Sequence, residues 1–485
     1  MSLITGTQNM LIKYHQSYVD IKNIDLSLLD ETILVNGWVR NKRIQANLAF
    51  VEVFDGSTSK TIQVITEDKT FIEKLNTLSI GSSISLMGTV VFTPNSTDKV
   101  ELQLSSIEYI GIVHDPVTYI LNAKKMGLEI LRDHQDVRVK TRTFNAVFRI
   151  RAALSKATHD FFHMLGAKHL NPNIITTNDC EGAGEVFTIT NMLNKTNELP
   201  MIEKTNQIDY SKDFFEKHAF LTVSSQLQLE LLCAGLGKVW TSNKSFRSEK
   251  SKTNRHLAEF EHIEWEFAWT GLSDLMDIAE QYTQFCFQYV LDSNLDDLDE
   301  LNKFTSKGII DKLKLFCSKN YIRISYDEAI QIIIDNKKDI LVKYPNLTVP
   351  KWGDDLGSEC EKYISEVKYN YPVFVYNYPK ELKSFYMKQN ADGRTVQGCD
   401  LLIPGLGELI GSSVREHDYN KLSKVIEERK MDINSLKWYI DLRKNGSTPT
   451  AGAGLGFDRL VRICTGIDNI RDAVCFPVAY QECKF

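Results

Sequence analysis

A chain of 485 residues that is 43% hydrophobic and 25% charged has an ordinary soluble globular composition, with length for a real core and roughly two to four domains. A net charge of −6 excludes a uniformly basic nucleic-acid coat, while leaving local basic patches free to meet phosphates. The opening MSLITGTQNMLIKYHQSYVDIKN has no basic start followed by a long apolar run, and no apolar stretch has the length of a membrane span. The nine cysteines form no CxxC pair. These features read as a cytoplasmic protein with reduced thiols, no leader, no membrane contact, and neither a disulfide framework nor a zinc site.

From Thr32 to Ile110 the chain reads as five short strands, ILVNGWVR, LAFVEVFDG, KTIQVITE, SSISLMGTVVF and VELQLSSIEYI, with turn signals such as Asp55-Gly56 between them. Five strands in so short a span predict a small barrel. Its first three strands carry Trp38, Arg40, Lys42, Arg43, Phe50 and Gln63, and aromatic faces beside cations suit single-stranded nucleic acid. Trp38 or Phe50 taken alone reads more readily as barrel core. His114-Asp115-Pro116 marks a boundary, so the barrel occupies 1–115 and a basic hinge 116–147. A helix is predicted from about Phe148, with Ile150, Leu154, Ala157, Phe161 and Leu165 in one apolar stripe that could pack internally or against a second subunit.

The rest, 148–485, mixes helices with strand-like runs such as YPVFVYN, SFYMKQ and CDLLIPGLGELIG. It predicts an antiparallel sheet flanked by helices, making the whole an α+β protein. Residues 290 to 345 alternate acidic loops with helical patterns and read as an inserted or appended helical subdomain. GAGLGFDRLVRICTGI reads as a glycine-rich turn opening an amphipathic helix. Its GxGxG spacing differs from the GxGxxG of dinucleotide-binding loops.

The stretch Phe246 to Glu266, FRSEKSKTNRHLAEFEHIEWE, concentrates the chemistry. As a hairpin joined by Glu249 to Asn254 it would offer the Arg247 fork to a carboxylate or phosphate and the Phe260 face to a base. As a solvated charged loop it would do neither.

Taken together, VNGWVR, FVEVFDG, CEGAGEVF, FLTVSSQL, FRSEKSKTNRHLAEF, YPKELKSFYM, GELIGSSVRE, WYIDLRKNGSTP and GAGLGFDRL resemble the class II aminoacyl-tRNA synthetases. Within these the likeness is to the subgroup that joins an N-terminal oligonucleotide-binding (OB) barrel to a catalytic domain for aspartate, asparagine or lysine. It covers nearly the whole chain. It implies a six-stranded antiparallel catalytic sheet, a homodimer, ATP as substrate, Mg²⁺, and transfer of an activated amino acid to tRNA.

By the same resemblance Arg247 contacts the α-phosphate and the amino-acid carboxylate, Glu249 holds the nucleotide or the tRNA end, His256 approaches the phosphates, and Phe260 stacks on adenine. Gly452, Gly454 and Gly456 let the backbone close on the ligand, and Arg459 covers the other adenine face or the γ-phosphate. Asp400 and Glu408 match magnesium ligands, Glu181, Ser224, Gln226, Glu230 and Arg415 match amino-acid contacts, and Arg43, Phe50 and Gln63 face the anticodon. The chain departs from the family pattern at Asn173, where a proline is usual and Pro172 stands one earlier, and at Thr450, where histidine is usual.

For the amino acid, an amide needs an acceptor for its NH₂ and a donor for its oxygen. Arg415 matches the family's reader of the side-chain oxygen. Aspartate enzymes add a lysine in the SPQL segment, and here Leu229 stands there, followed by Glu230. An acid at that place would repel a substrate carboxylate, which points to L-asparagine and tRNA(Asn), with Glu230 as amide reader. The competing readings are an aspartyl-tRNA ligase, an adenylate-forming enzyme that makes free asparagine, against which the barrel argues, and a non-catalytic RNA-binding paralogue, against which the ATP constellation argues.

Overall fold

The computed structural model describes residues 17–94, 99–122, 126–178, 185–194 and 199–485. The chain divides into two compact units, Met1–Ala146 and Val147–Phe485.

In the first unit β1 (Thr32–Ile44), β2 (Ala49–Phe54), β3 (Ile62–Thr66), β4 (Ser83–Phe92) and β5 (Val100–Gly111) close into a barrel in the order β1-β2-β3-β5-β4, with α1 (Lys69–Asn76) between β3 and β4. Alternation drives the closure: Val35, Val39, Val51, Val53, Val64, Leu86 and Leu102 are fully buried, and their neighbours point outward. Trp38 and Phe50 are half-buried, which corrects the reading of either as core. Both fall on the outward phase of their strands. The Arg43 guanidinium lies 5.3 Å from the Phe50 ring centre, and that of Arg40 lies 3.6 Å from Phe54. Gln63 donates to Glu101 Oε2 at 2.8 Å.

The predicted hinge contains α2 (Leu128–Asp133) and the start of α3 (Arg142–Met164). This last helix begins earlier than Phe148 because Thr141 supplies a hydroxyl to the Phe144 N–H at 3.4 Å, an N-terminal cap. Ile150, Leu154, Ala157 and Phe161 of α3 are buried. The Phe161 ring lies 5.2 Å from Tyr282, and Phe162 stacks on Trp240 at 4.8 Å. The apolar stripe therefore packs inside the chain.

The second unit continues with β6 (Lys168–His169), β7 (Ile175–Thr176), β8 (Thr188–Ile189), β9 (Ala219–Leu221), α4 (Gln226–Leu236), β10 (Lys238–Phe246), β11 (Glu259–Ala268), α5 (Leu272–Ser293), α6 (Leu295–Phe304), α7 (Ile309–Phe316) and β12 (Ile322–Ser325). After these come α8 (Tyr326–Asp335), α9 (Lys337–Lys343), α10 (Gly357–Lys362), β13 (Val373–Tyr376), β14 (Gly398–Ile403), β15 (Gly407–Val414), α11 (Tyr419–Glu428), α12 (Ile433–Lys444), β16 (Thr450–Gly456) and α13 (Phe457–Thr465). The main sheet has eight strands in the order β12-β13-β14-β15-β16-β11-β10-β6. Its middle is the expected antiparallel set of β13, β14, β15, β16, β11 and β10, and the edges β12 and β6 add in parallel. Region 290–345 is thus not helical throughout, since β12 extends the sheet. Its α6 is tied to α3 by Arg149, which clasps Asp297 through Nε at 3.0 Å and Nη2 at 2.7 Å.

Candidate active site

The site is built on one face of β11. A strand's period of two sets Phe260, His262, Glu264 and Glu266 on one side, with Ile263, Trp265 and Phe267 on the other. Across from them β16 places Gly456 opposite His262, Gly454 opposite Glu264 and Gly452 opposite Glu266. The glycine run is therefore a strand and not the predicted turn, and its missing side chains hollow a trough along the sheet. A Cβ at Gly454 would stand 2.5 Å from His262 Nε2, and one at Gly452 would strike the Glu266 carboxylate.

Two cavities open over this face. One, of about 150 Å³, is lined by Arg247, Glu249, His256, Phe260, Gly456 and Arg459 among others. The second, of about 280 Å³, is lined by Ser224, Gln226, Leu229, Glu264, Glu266, Asp400 and Arg415 among others. Arg247, His262, Glu408 and Gly454 border both. Residues far apart in sequence thus form two chambers meeting at a cation.

In the first chamber the Arg247 guanidinium lies 5.6 Å from the Phe260 ring, and Arg459 Nη1 donates to the Glu408 carbonyl at 2.9 Å. His256 Nδ1 pairs with Thr253 Oγ1 at 2.5 Å, and its Nε2 lies 3.7 Å from Glu249. Burial, aided by the surrounding arginines, holds the His256 pKa below its ordinary value against the opposing pull of Glu249. The sequence reading missed Arg151 of α3, which donates to Glu261 and to Asp458 at 2.6 Å each. Asp458 Oδ2 also accepts the Glu261 N–H at 3.0 Å. Glu261 follows Phe260 and Asp458 precedes Arg459, so one guanidinium fixes the spacing of the two walls.

In the second chamber Ser224 Oγ donates to Glu264, whose other oxygen takes the Ser225 N–H at 2.8 Å. Arg415 grips Glu266 through Nε at 3.1 Å and Nη2 at 2.8 Å, and Ser413 Oγ through Nη1 at 2.6 Å. Burial raises the Glu266 carboxyl pKa and Arg415 opposes it. Glu230, expected to read the amide, does not line the chamber. It is 1% exposed, and its oxygens are engaged by Arg443, by Tyr439 OH at 2.7 Å and by Gln226 Nε2 at 3.1 Å. On α4 it lies one residue past Leu229 and so turns toward α12, while Leu229 faces the cavity. The carboxylate paired with Arg415 that does line the cavity is Glu266, which sequence reasoning passed over. Glu181 lies outside the described residues.

Asp400 of β14 and Glu408 of β15 converge over Gly411. A Cβ there would sit 3.1 Å from Glu408 Oε1 and 3.7 Å from Asp400 Oδ1, so the glycine keeps a cradle open between hard oxygen donors. Among the described residues no three His, Cys, Asp or Glu side chains form a metal cage. Two carboxylates fit Mg²⁺, which completes its shell with phosphate oxygens and water. Lys383 Nζ meets Asp400 Oδ2 at 2.6 Å. Burial, with Glu408 and Asp400 nearby, pushes the Glu361 carboxyl up to about 8.

An antiparallel sheet carrying two chambers that meet at an arginine, one walled by Phe260 and Arg459 and the other ending in the buried Arg415–Glu266 pair, is the arrangement of an enzyme of the class II synthetase type. Residues 128–480 match the family model for tRNA synthetases class II (D, K and N), and 33–110 match an OB-fold nucleic acid binding domain. The asparagine–tRNA ligase of Porphyromonas gingivalis is 41% identical over 460 residues, covering 94% of this chain and 96% of that one. That of Borreliella burgdorferi is 41% identical over 454 residues, covering 93% and 96%. The asparaginyl-tRNA synthetase of Pyrococcus horikoshii, solved with asparaginyl-adenylate, superposes with a TM-score of 0.81 at 30% identity, covering 95% of this chain and 98% of that one. The chain belongs to the asparagine–tRNA ligase family.

Proposed function

We infer that the chain ligates L-asparagine to tRNA(Asn) in two steps, through asparaginyl-adenylate. The observation that carries this reading is the meeting of the two chambers at Arg247, with the paired Arg415 and Glu266 closing the amino-acid end. The amide oxygen accepts a hydrogen bond from Arg415 and the amide NH₂ donates one to Glu266. At the other end of the chamber Glu264, with Ser224 and Gln226, offers acceptors to the α-ammonium. The substrate carboxylate then points to the junction, where one oxygen attacks the α-phosphorus of ATP. The new C–O–P linkage forms as the bond to pyrophosphate breaks, and the leaving electron pair stays on pyrophosphate.

Arg247 bridges the carboxylate and the α-phosphate, while Phe260 and Arg459 hold the base and the phosphates between fixed walls. Catalysis is then orientation plus positive charge where negative charge develops. Asp400 and Glu408 would hold Mg²⁺, which supplies charge neutralisation at the phosphates. In the second step a terminal ribose hydroxyl of the tRNA attacks the carbonyl carbon and AMP leaves.

We read the barrel face of Arg43, Phe50 and Gln63 as the anticodon contact, since exposed aromatic and cationic groups suit unpaired bases. Among the described residues no helix is long and apolar enough to cross a membrane, and we place the protein in the cytoplasm. A homodimer is proposed on the open cavity of about 940 Å³ lined by Pro172, Asn173, Ile174, Phe215, Leu231 and Trp438. Light scattering at a single subunit's mass would refute it.

The deciding experiment supplies ATP, Mg²⁺, tRNA(Asn) and labelled asparagine or aspartate. Acid-stable label on tRNA with asparagine alone is expected. Label from aspartate, release of free asparagine from aspartate and ammonia, or no transfer would each refute the reading.

A further inference from the structure

Behind the amino-acid chamber lies a buried row of alternating charge. Arg443 of α12 bonds Glu230 of α4. Glu230 Oε1 lies 3.7 Å from Arg415 Nε, and Arg415 is fork-bonded to Glu266. Relative exposures are 6% for Arg443, 1% for Glu230, 4% for Arg415 and 0% for Glu266. Of the four, Arg415 and Glu266 border the cavity, and Glu230 and Arg443 do not. The row is braced by neutral groups: Tyr439 OH bonds Glu230 at 2.7 Å, and Arg443 Nε donates to the Glu416 carbonyl at 3.2 Å. Leu229, the cavity neighbour of Glu230, adds no charge.

We propose that Glu230 and Arg443 are positioning residues that set the selectivity for asparagine over aspartate by holding the closed end of the chamber at zero net charge. The proposal rests on the asparagine reading above. Two guanidinium groups and two carboxylates cancel. A neutral amide then enters without disturbing the balance, one end on Arg415 and the other on Glu266. An aspartate side chain of the same shape would bring a buried charge with no counter-ion, and burying an unpaired charge is heavily penalised. A single arginine–glutamate pair already supplies the hydrogen bonds, but Arg415 between two carboxylates is pulled from both sides. With Glu230 in place Arg415 is already matched, and a substrate carboxylate finds no spare positive charge. Neutralising Glu230 would free that charge.

The test measures kcat/KM for asparagine and for aspartate in ATP–pyrophosphate exchange. In Glu230→Gln the closed end gains a net positive charge, and the ratio of asparagine to aspartate should fall at least about 10-fold, chiefly by a gain on aspartate. In E230Q/R443M neutrality returns, and the ratio should recover to within about threefold of the unaltered protein, a rescue that damage to the chamber would not give. An unchanged ratio in E230Q, or a ratio in the double variant as low as in E230Q, overturns the proposal. If E230Q does not fold, the double variant, which removes both charges together, carries the test: a preserved ratio supports charge balance and a collapsed ratio overturns it. Absence of exchange with asparagine in the unaltered protein would instead defeat the underlying reading.

Discussion

The two chambers share a wall yet handle charge in opposite ways. In the nucleotide chamber His256 and Glu249 are 36% and 34% exposed and only loosely paired, and Phe260 is partly open. At and behind the closed end of the amino-acid chamber Glu266, Arg415, Glu230 and Arg443 have side chains 5% exposed or less, each within ion-pair distance of the next. On the function proposed above, the difference follows from the ligands. A triphosphate brings large charge and its own metal and is met by groups that water can screen. A side-chain amide is neutral and small, and can be told from a carboxylate only where water is excluded and each buried charge has a partner.

Variants at the junction and on each side sharpen that contrast. Arg247→Ala strikes both chambers at once and should lower pyrophosphate exchange on the order of 10³-fold, the scale for a donor aimed at developing charge. A loss under tenfold would remove Arg247 from the chemistry. Gly452→Ala drives a methyl into the Glu266 carboxylate, 2.7 Å from Arg415 Nη2. It should lower kcat/KM for asparagine about 10²-fold while calorimetric binding of ATP persists. Gly456→Ala, whose Cβ would meet only the flexible Arg459 stem at 3.4 Å, should change either substrate by less than about threefold. Equal damage from the two alanines would erase the distinction between a tight and a forgiving half.

Arg151→Lys keeps the charge but loses the fork spanning Glu261 and Asp458, and should raise KM for ATP about 10-fold with KM for asparagine nearly unchanged. A parallel rise in both constants would make Arg151 merely structural. The smallest effect concerns His262, whose pKa is lowered from 6.5 first by burial, with Arg247 adding to it and Glu264 opposing. The unfolded chain therefore takes this proton first. His262 leaves stability at its full value above pH 6.5 and reduces it as pH falls toward the folded pKa, by at most about 1.4 kcal/mol per pH unit. Urea melts between pH 7 and 5 should slope less for His262→Asn than for the parent, and identical slopes would place the acid sensitivity elsewhere.

Much of the barrel was legible because each strand alternates over a few residues, as in Val51 and Val53 against Phe50. The grouping of the first chamber was legible because Arg247, His256 and Phe260 lie in one run and Gly454, Gly456 and Arg459 in another, and all six line one cavity. The amino-acid end was not, because Arg415 reaches Glu266 across 149 positions and only strand register brings them together. Glu230 attracted the amide role because it follows Leu229, which stands where aspartate enzymes carry a lysine, but the helical turn after Leu229 points it to Tyr439 and Arg443. A signal was present: polar residues at 262, 264 and 266 alternate with apolar ones at 263, 265 and 267, and glycines at 452, 454 and 456 repeat the same period. Read as strands, the two runs would have placed Glu266 in the trough.

The central claim is that this site accepts an amide and refuses the matching acid. Its most direct measure is the ratio of kcat/KM for asparagine to that for aspartate in ATP–pyrophosphate exchange by the unaltered protein. A ratio above about 10³ is predicted for a site that must otherwise bury an unpaired charge. A ratio near one, or a preference for aspartate, would contradict it.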